Sequence, residues 1–358
     1  MSDEFRELLK KVGSGSHTSK DLSRSEAAAA TRMMLQQQAT PAQIGAFMIA
    51  HRIKRPTGVE LAGMLDAYEQ LGPKLHPCPD HSHCPVVFGV PYDGRVRTAP
   101  VTVITALLLV TVGVPAILHG GKRMPTKYGI PLIDVCQGLG LSLTDINLSQ
   151  MQRLFNQTGL GFIYLPQHFP QADHLVTYRE QIGKRPPFAT LELMWCPYGG
   201  QARVISGYVH PPTEGFIQEV FDLHGISTFT TVKGLEGSCD LPRERTGIIG
   251  IHQAGGGSER LLLSPRDYGF GEGNPGFESD QELISQSQEV LQGKESELMN
   301  SAIWNGGFYL WHSGACGSLV EGFDWAEDLL KTGKVMEKLA EIGRVLATDI
   351  RGSIFSNF

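Results

Sequence analysis

Residues Val101–Leu118, "VTVITALLLVTVGVPAIL", decide the fold. As one apolar run they are just long enough to cross a bilayer. Gly113 and Pro115 break the run, however, and Thr102, Thr105 and Thr111 interrupt it. The simpler reading is a helix over Val101–Val112 followed by a buried strand over Val114–Leu118. Just upstream, "VFGVPYDGRVR" (Val87–Arg97) supplies a short apolar strand and a glycine-containing loop. Strand, loop, helix and strand in succession make a βαβ unit, not a membrane span.

The pattern continues outward from this unit. Toward the C-terminus, "PLIDVCQGLG", "FIYLP", "RVISGYV", "TFTTVKG" and "GIIGIHQ" alternate helical and strand texture, which predicts a mostly parallel sheet. "KVMEKLAEIGRVLA" closes the chain with an amphipathic helix, and Ser318–Glu321 caps the helix before it. Toward the N-terminus three capping signatures follow one another: Ser23 with Glu26, Thr40 with Pro41 and Gln43, and Thr57 with Glu60. No strand pattern lies between them. The expected fold class is α/β: a small helical N-terminal domain (1–76), completed by helices near 166–195, and a larger α/β domain (77–358) with a mostly parallel central sheet.

Bulk composition sets bounds on function. The 358 residues are 41% hydrophobic and 19% charged, with a formal net charge of −6, so global charge gives nucleic-acid binding no support. The six cysteines are scattered and fit a reducing compartment. "MSDEFRELLKK" has no apolar core of a signal peptide. A cytoplasmic protein without membrane partners is expected.

Several stretches together resemble the anthranilate phosphoribosyltransferases and their relatives among the pentosyltransferases. "DLSRSEAAAATRMMLQQQATPAQIGAFMIAHRIKRPTGVELAGM" is similar to that family's N-terminal helical domain. "LLLSPRDYGF" and "GFDWAEDLLKTGKVMEKLAEI" are similar to its late segments. The resemblance implies a homodimer packed through the helical part. It also implies transfer of ribose 5-phosphate from phosphoribosyl pyrophosphate to a nitrogen of an aromatic acid, with magnesium assisting the departing pyrophosphate.

The same resemblance carries over residue by residue. The family's Gly-Thr-Gly-Gly-Asp-Gly pyrophosphate loop falls on Gly89–Gly94, keeping Gly89, Asp93 and Gly94. Pro91 removes an amide donor there, and Tyr92 adds bulk where an anion would approach. Of the following Asn-Ile-Ser-Thr only Thr102 remains, while Arg95 and Arg97 add cations that either hold phosphate through their side chains or cap a surface loop. The Lys-His-Gly-Asn-Arg strand end falls on Leu118–Arg123, leaving His119, Gly120, Lys122 and Arg123, with Lys127 beyond. Of the family's two magnesium acids the first falls on Glu236 and the second on Gly237, with Asp240 close by to substitute for it. Arg179, with His168 upstream, takes the place of the arginine that grips the aromatic carboxylate, unless it pairs internally with Glu180 or Glu192. "TLELMWCP" (190–197) replaces the family's pocket wall, so an acceptor other than anthranilate is expected.

Two further readings belong here. Arg95, Arg97, Lys122, Arg123, Lys127, Lys233, Arg243 and Arg245 would form a basic groove for single-stranded nucleic acid in a relative that has lost its chemistry. Cys78, His81, His83 and Cys84 lack a second pair of ligands at zinc spacing, and the flanking prolines favour an extended linker.

Overall fold

The computed structural model describes residues 3–355 except 16, 254 and 256. Seven strands form one sheet: β1 (Val86–Gly89), β2 (Ala116–Gly120), β3 (Leu160–Tyr164), β4 (Arg203–Gly207), β5 (Phe229–Val232), β6 (Gly247–Gln253) and β7 (Gly257–Leu263). Their order is β3-β2-β1-β4-β5-β6-β7. The first five run parallel. β6 runs antiparallel to both β5 and β7, so β6 and β7 form a hairpin at the sheet edge.

The apolar run of the opening stretch becomes the helix Thr102–Thr111 and strand β2, shorter at the helix ends than the pattern predicts. Thr102–Val110 are all buried. The reason is position, because the helix is packed by the helices Glu297–His312 and Lys334–Phe355 as well as by β2 and β3. A helix apolar all round belongs in a core or a membrane, and here it is the core. Among the described residues no helix is long and apolar enough to cross a membrane. The six cysteines are all unpaired.

The helices Arg24–Leu35, Pro41–Lys54 and Gly58–Leu71 begin where their caps predict, and a further helix, Asp3–Gly13, for which the sequence offered no cap, precedes them. Ser23/Glu26, Thr40/Gln43 and Thr57/Glu60 each form both bonds of a capping box. Glu60 does more than cap: its buried carboxylate also accepts from the Leu22 amide at 2.9 Å and Lys54 Nζ at 2.8 Å. Two later helices return to this unit. Pro170–Ile182 packs on Arg24–Leu35 and Pro41–Lys54, and Phe188–Leu191 packs on Gly58–Leu71. Residues 76–85 run between the units without helix or strand, and the His81 ring meets Phe155 edge-on at 5.0 Å.

Candidate functional site

In a parallel sheet the chain leaves every strand at the same edge, and ligands sit where the strand order reverses. Here β1 has β2 on one side and β4 on the other, so the loop after β1 opens at that reversal. It is residues 90–100, the stretch singled out as a phosphate loop. The loop after β2 zips onto it: the amide of Ile130 donates to Arg95 O at 2.9 Å and that of Gly129 to Asp93 O at 2.9 Å.

Gly89 owes its lack of a side chain to packing. A Cβ there would lie 2.1 Å from the carbonyl oxygen of Leu193. Gly94 has φ +74°, and a Cβ would collide with the 129–130 backbone, so this glycine makes the turn. Tyr92 is buried, its amide donating to Glu192 Oε2 at 2.9 Å and its hydroxyl meeting His119 Nδ1. His119 is wholly buried, with the Trp195 ring edge-on at 5.4 Å, and burial lowers its pKa to about 3. It is therefore a neutral ring at physiological pH. A small cavity remains beside these groups, lined by Tyr92, Gly94, Arg95, Thr102, His119 and Gly120 among others.

Arg95 is not the exposed phosphate ligand that the sequence allows. It is 4% exposed. Its Nη1 donates to Asp240 Oδ2 and to Ser238 Oγ, each at 2.8 Å, its Nε reaches Glu236 Oε1 at 3.4 Å, and its Nη2 donates to Thr98 Oγ1. Thr102 Oγ1 holds the other oxygen of Asp240 at 2.8 Å, and the Val101 amide also donates to Asp240. In this structure the Thr102 hydroxyl proton goes to an acid.

Glu236 sits at φ 52° and turns its carboxylate to the backbone of residues 96–98. Lys127 Nζ approaches it at 3.4 Å and donates to Gly94 O and Glu236 O. Burial opposes the charge on Glu236, but the Arg97 amide, Arg95, Lys127 and the Thr98 amide hold its pKa down to about 2. Burial lowers Lys127, with Asp93 and Glu236 pulling the other way. The two acids expected to hold magnesium are therefore already engaged by protein donors. Among the described residues no three His, Cys, Asp or Glu side chains gather to hold a metal ion. As arranged, this donor set does not fit magnesium.

Arg179 pairs with Glu192, the internal partner foreseen as its alternative, at 2.5 Å. Both side chains are buried, and burial pushes the Glu192 carboxyl up against the pull of Arg179 and the Tyr92 amide. Asp93, wholly buried, accepts from Arg185 Nε at 2.8 Å. Through this pair it anchors the loop, while its other oxygen, Oδ1, is buried without a partner. His168 has a local role as well, its Nδ1 accepting from the Tyr164 amide at 3.0 Å. Sequence reasoning passed over Arg185 and Ser238, neither of which falls on a family motif.

The proposed basic groove is divided. Arg243 is 1% exposed and bonds to Phe270 O, Glu297 and Ser301. Arg123 pairs with Asp280 at 2.5 Å and lies 3.6 Å from Asp134, while Arg245 donates to Lys233 O. Arg95 is buried as well, while Arg97, Lys122 and Arg123 are exposed, Arg123 in its pair with Asp280.

A helical unit beside an α/β sheet, with its loops gathered at a strand-order reversal, defines the class. The chain belongs to the glycosyl transferase family: that family's helical bundle domain matches residues 6–72, and its a/b domain matches residues 93–336. Its relatives include the anthranilate phosphoribosyltransferase of Persephonella marina, 27% identical over 95% of this chain and 99% of that one. The same enzyme of Methanocorpusculum labreanum is 27% identical over 94% and 96%. Among solved structures, anthranilate phosphoribosyltransferase from Saccharomyces cerevisiae in complex with PRPP and Mg superposes with a TM-score of 0.80, covering 97% of this chain and 99% of that one at 17% identity. That from Thermus thermophilus gives 0.76 at 19% identity, covering 97% and 100%.

Proposed function

We propose that this glycosyl transferase moves a phosphoribosyl-type group to an acceptor other than anthranilate, one that brings no carboxylate to Arg179. The Arg179–Glu192 pair carries this reading. An aromatic acid would have to displace Glu192 and leave a buried carboxylate without its partner, a cost of about 3–5 kcal/mol. The donor is phosphoribosyl pyrophosphate, as in the complex of the yeast relative. Neutral His119 offers a hydrogen bond beside the cavity, and exposed Arg97 and Lys122 lie close in sequence to its lining residues Arg95 and Gly121. A homodimer packed through the helical unit belongs to the same reading, supported by exposed Ile53 and Val59 there, and light scattering tests it.

The test is pyrophosphate release from phosphoribosyl pyrophosphate, followed by phosphorus NMR against a panel of aromatic amines with and without a carboxylate. Release with carboxylate-free amines alone is expected. Turnover of anthranilate, or no release with any acceptor, overturns the proposal.

A further inference from the structure

We propose that the Arg95 guanidinium stands in place of the divalent cation, so that this protein binds a diphosphate-type anion without magnesium. The argument begins with the acids. Glu236 Oε1 accepts from the amides of Arg97 and Thr98 at 3.0 and 3.2 Å and from Thr98 Oγ1 at 3.1 Å. Its Oε2 faces the Val96 amide and Lys127 Nζ, each at 3.4 Å. Asp240 Oδ1 accepts from Thr102 Oγ1, and Oδ2 from Arg95 Nη1 and the Val101 amide. Glu236 Oε1 and Asp240 Oδ2 each accept two or more bonds, which leaves a hard cation little beyond the second lone pair of Asp240 Oδ1.

Charge leads to the same conclusion. Glu236 and Asp240 bring two negative charges, and Arg95 and Lys127 return two positive ones within 3.4 Å. That is the charge a magnesium ion would contribute, delivered by a fixed fork and a lysine. A guanidinium has five N–H donors. Four of them are directed at Glu236, Ser238, Asp240 and Thr98. The fifth, on Nη2, is left, and Arg95 lines the cavity beside Tyr92, His119 and Gly120. The cavity is about 20 Å³, room for one water, so an anion must widen it before it reaches Arg95, whose counter-charges are already balanced behind it. The structural contacts and the ligand contact are thus compatible on one side chain.

The inference rests on the proposed function only for the kind of anion, and its first test needs no ligand. Mn2+ is titrated into the full-length protein and free ion is followed by electron paramagnetic resonance. Wild type is expected to leave Mn2+ free, whereas Arg95→Ala, which frees Asp240 Oδ2 of its guanidinium partner and removes one of the two cations, is expected to bind one equivalent. The second test is calorimetric titration with inorganic pyrophosphate, in EDTA and in magnesium. Wild-type affinity is expected to be equal in the two buffers, and that of Arg95→Ala to fall at least about tenfold in EDTA. Arg95→Lys is a second variant should the alanine variant fail to fold, and it should keep wild-type indifference to Mn2+. Stoichiometric Mn2+ binding by wild type that Glu236→Gln abolishes overturns the proposal. So does pyrophosphate binding by wild type only when magnesium is present, or no pyrophosphate binding in either buffer. Metal-free pyrophosphate binding with no transferase activity would leave this inference standing while removing the proposed reaction.

Discussion

The guanidinium of Arg179 donates to the carboxylate of Glu192 at 2.5 Å, and the two side chains are 5% and 6% exposed. The pair thereby closes the position at which a substrate carboxylate would be gripped. It also ties the helix Pro170–Ile182 to the phosphate loop, because Glu192 accepts the Tyr92 amide through its other oxygen.

Glu192→Gln therefore strands a buried guanidinium. A loss of about 3–5 kcal/mol in urea unfolding is expected, and Arg179→Met in the same chain should recover most of it. A loss below about 1 kcal/mol would mean that the pair contributes no more than an exposed salt bridge.

The Tyr92 hydroxyl is the partner of His119 Nδ1, and His119 Nε2 has none. Tyr92→Phe leaves both ring nitrogens unpaired and should cost about 1–3 kcal/mol. In the wild type, His119 has its pKa lowered to about 3, so below the ordinary value of 6.5 the unfolded chain takes up a proton that the folded chain refuses. Stability then falls from pH 6.5 toward 3. Nitrogen NMR should show this ring neutral throughout that window, and titration near 6.5 in the folded protein would contradict its burial.

Glu236 contributes at lower pH. Its folded pKa of about 2 lies below the ordinary 4.5, so its stabilisation is complete above 4.5 and is lost as pH falls toward 2. Glu236→Gln should be less stable at neutral pH and should show a flatter acid limb between those values. Denaturation midpoints measured across that range decide the matter.

Pro91 and Tyr92 can be replaced together by glycine. The exchange restores an amide and clears the buried Tyr92 ring from the cavity wall. Pyrophosphate affinity should rise about tenfold, and stability should fall by about 3–5 kcal/mol for the lost aromatic side chain. Calorimetry and urea unfolding measure the two effects separately.

The parts of the fold governed by short-range rules were legible in the sequence. Ser23, Thr40 and Thr57 each declare a helix start with a partner three residues on, and all three boxes form. Gly113 and Pro115 divided the apolar run correctly into helix and strand. The place of the loop after β1 at the strand-order reversal was legible too, because a glycine-containing loop after a parallel strand has one edge to leave by. Its internal pairing was not. Arg95 meets Asp240 across 145 residues of sequence and Arg185 meets Asp93 across 92, and no local spacing rule reaches that far. Arg179 and Glu192 are only 13 apart, close enough for the pair to be among the foreseen alternatives, but Glu180 had an equal claim until the fold chose between them.

The contact between Gly89 and the Leu193 carbonyl bears on how such chains are sorted by motif. With 2.1 Å between a would-be Cβ and that oxygen, the glycine would persist in a descendant that bound nothing at all. Its presence reports the thickness of a wall, and a catalogue built on it would group working and silent members together. Positions 95 and 192 are the better labels, since a charge there decides which partner each neighbouring ion can take.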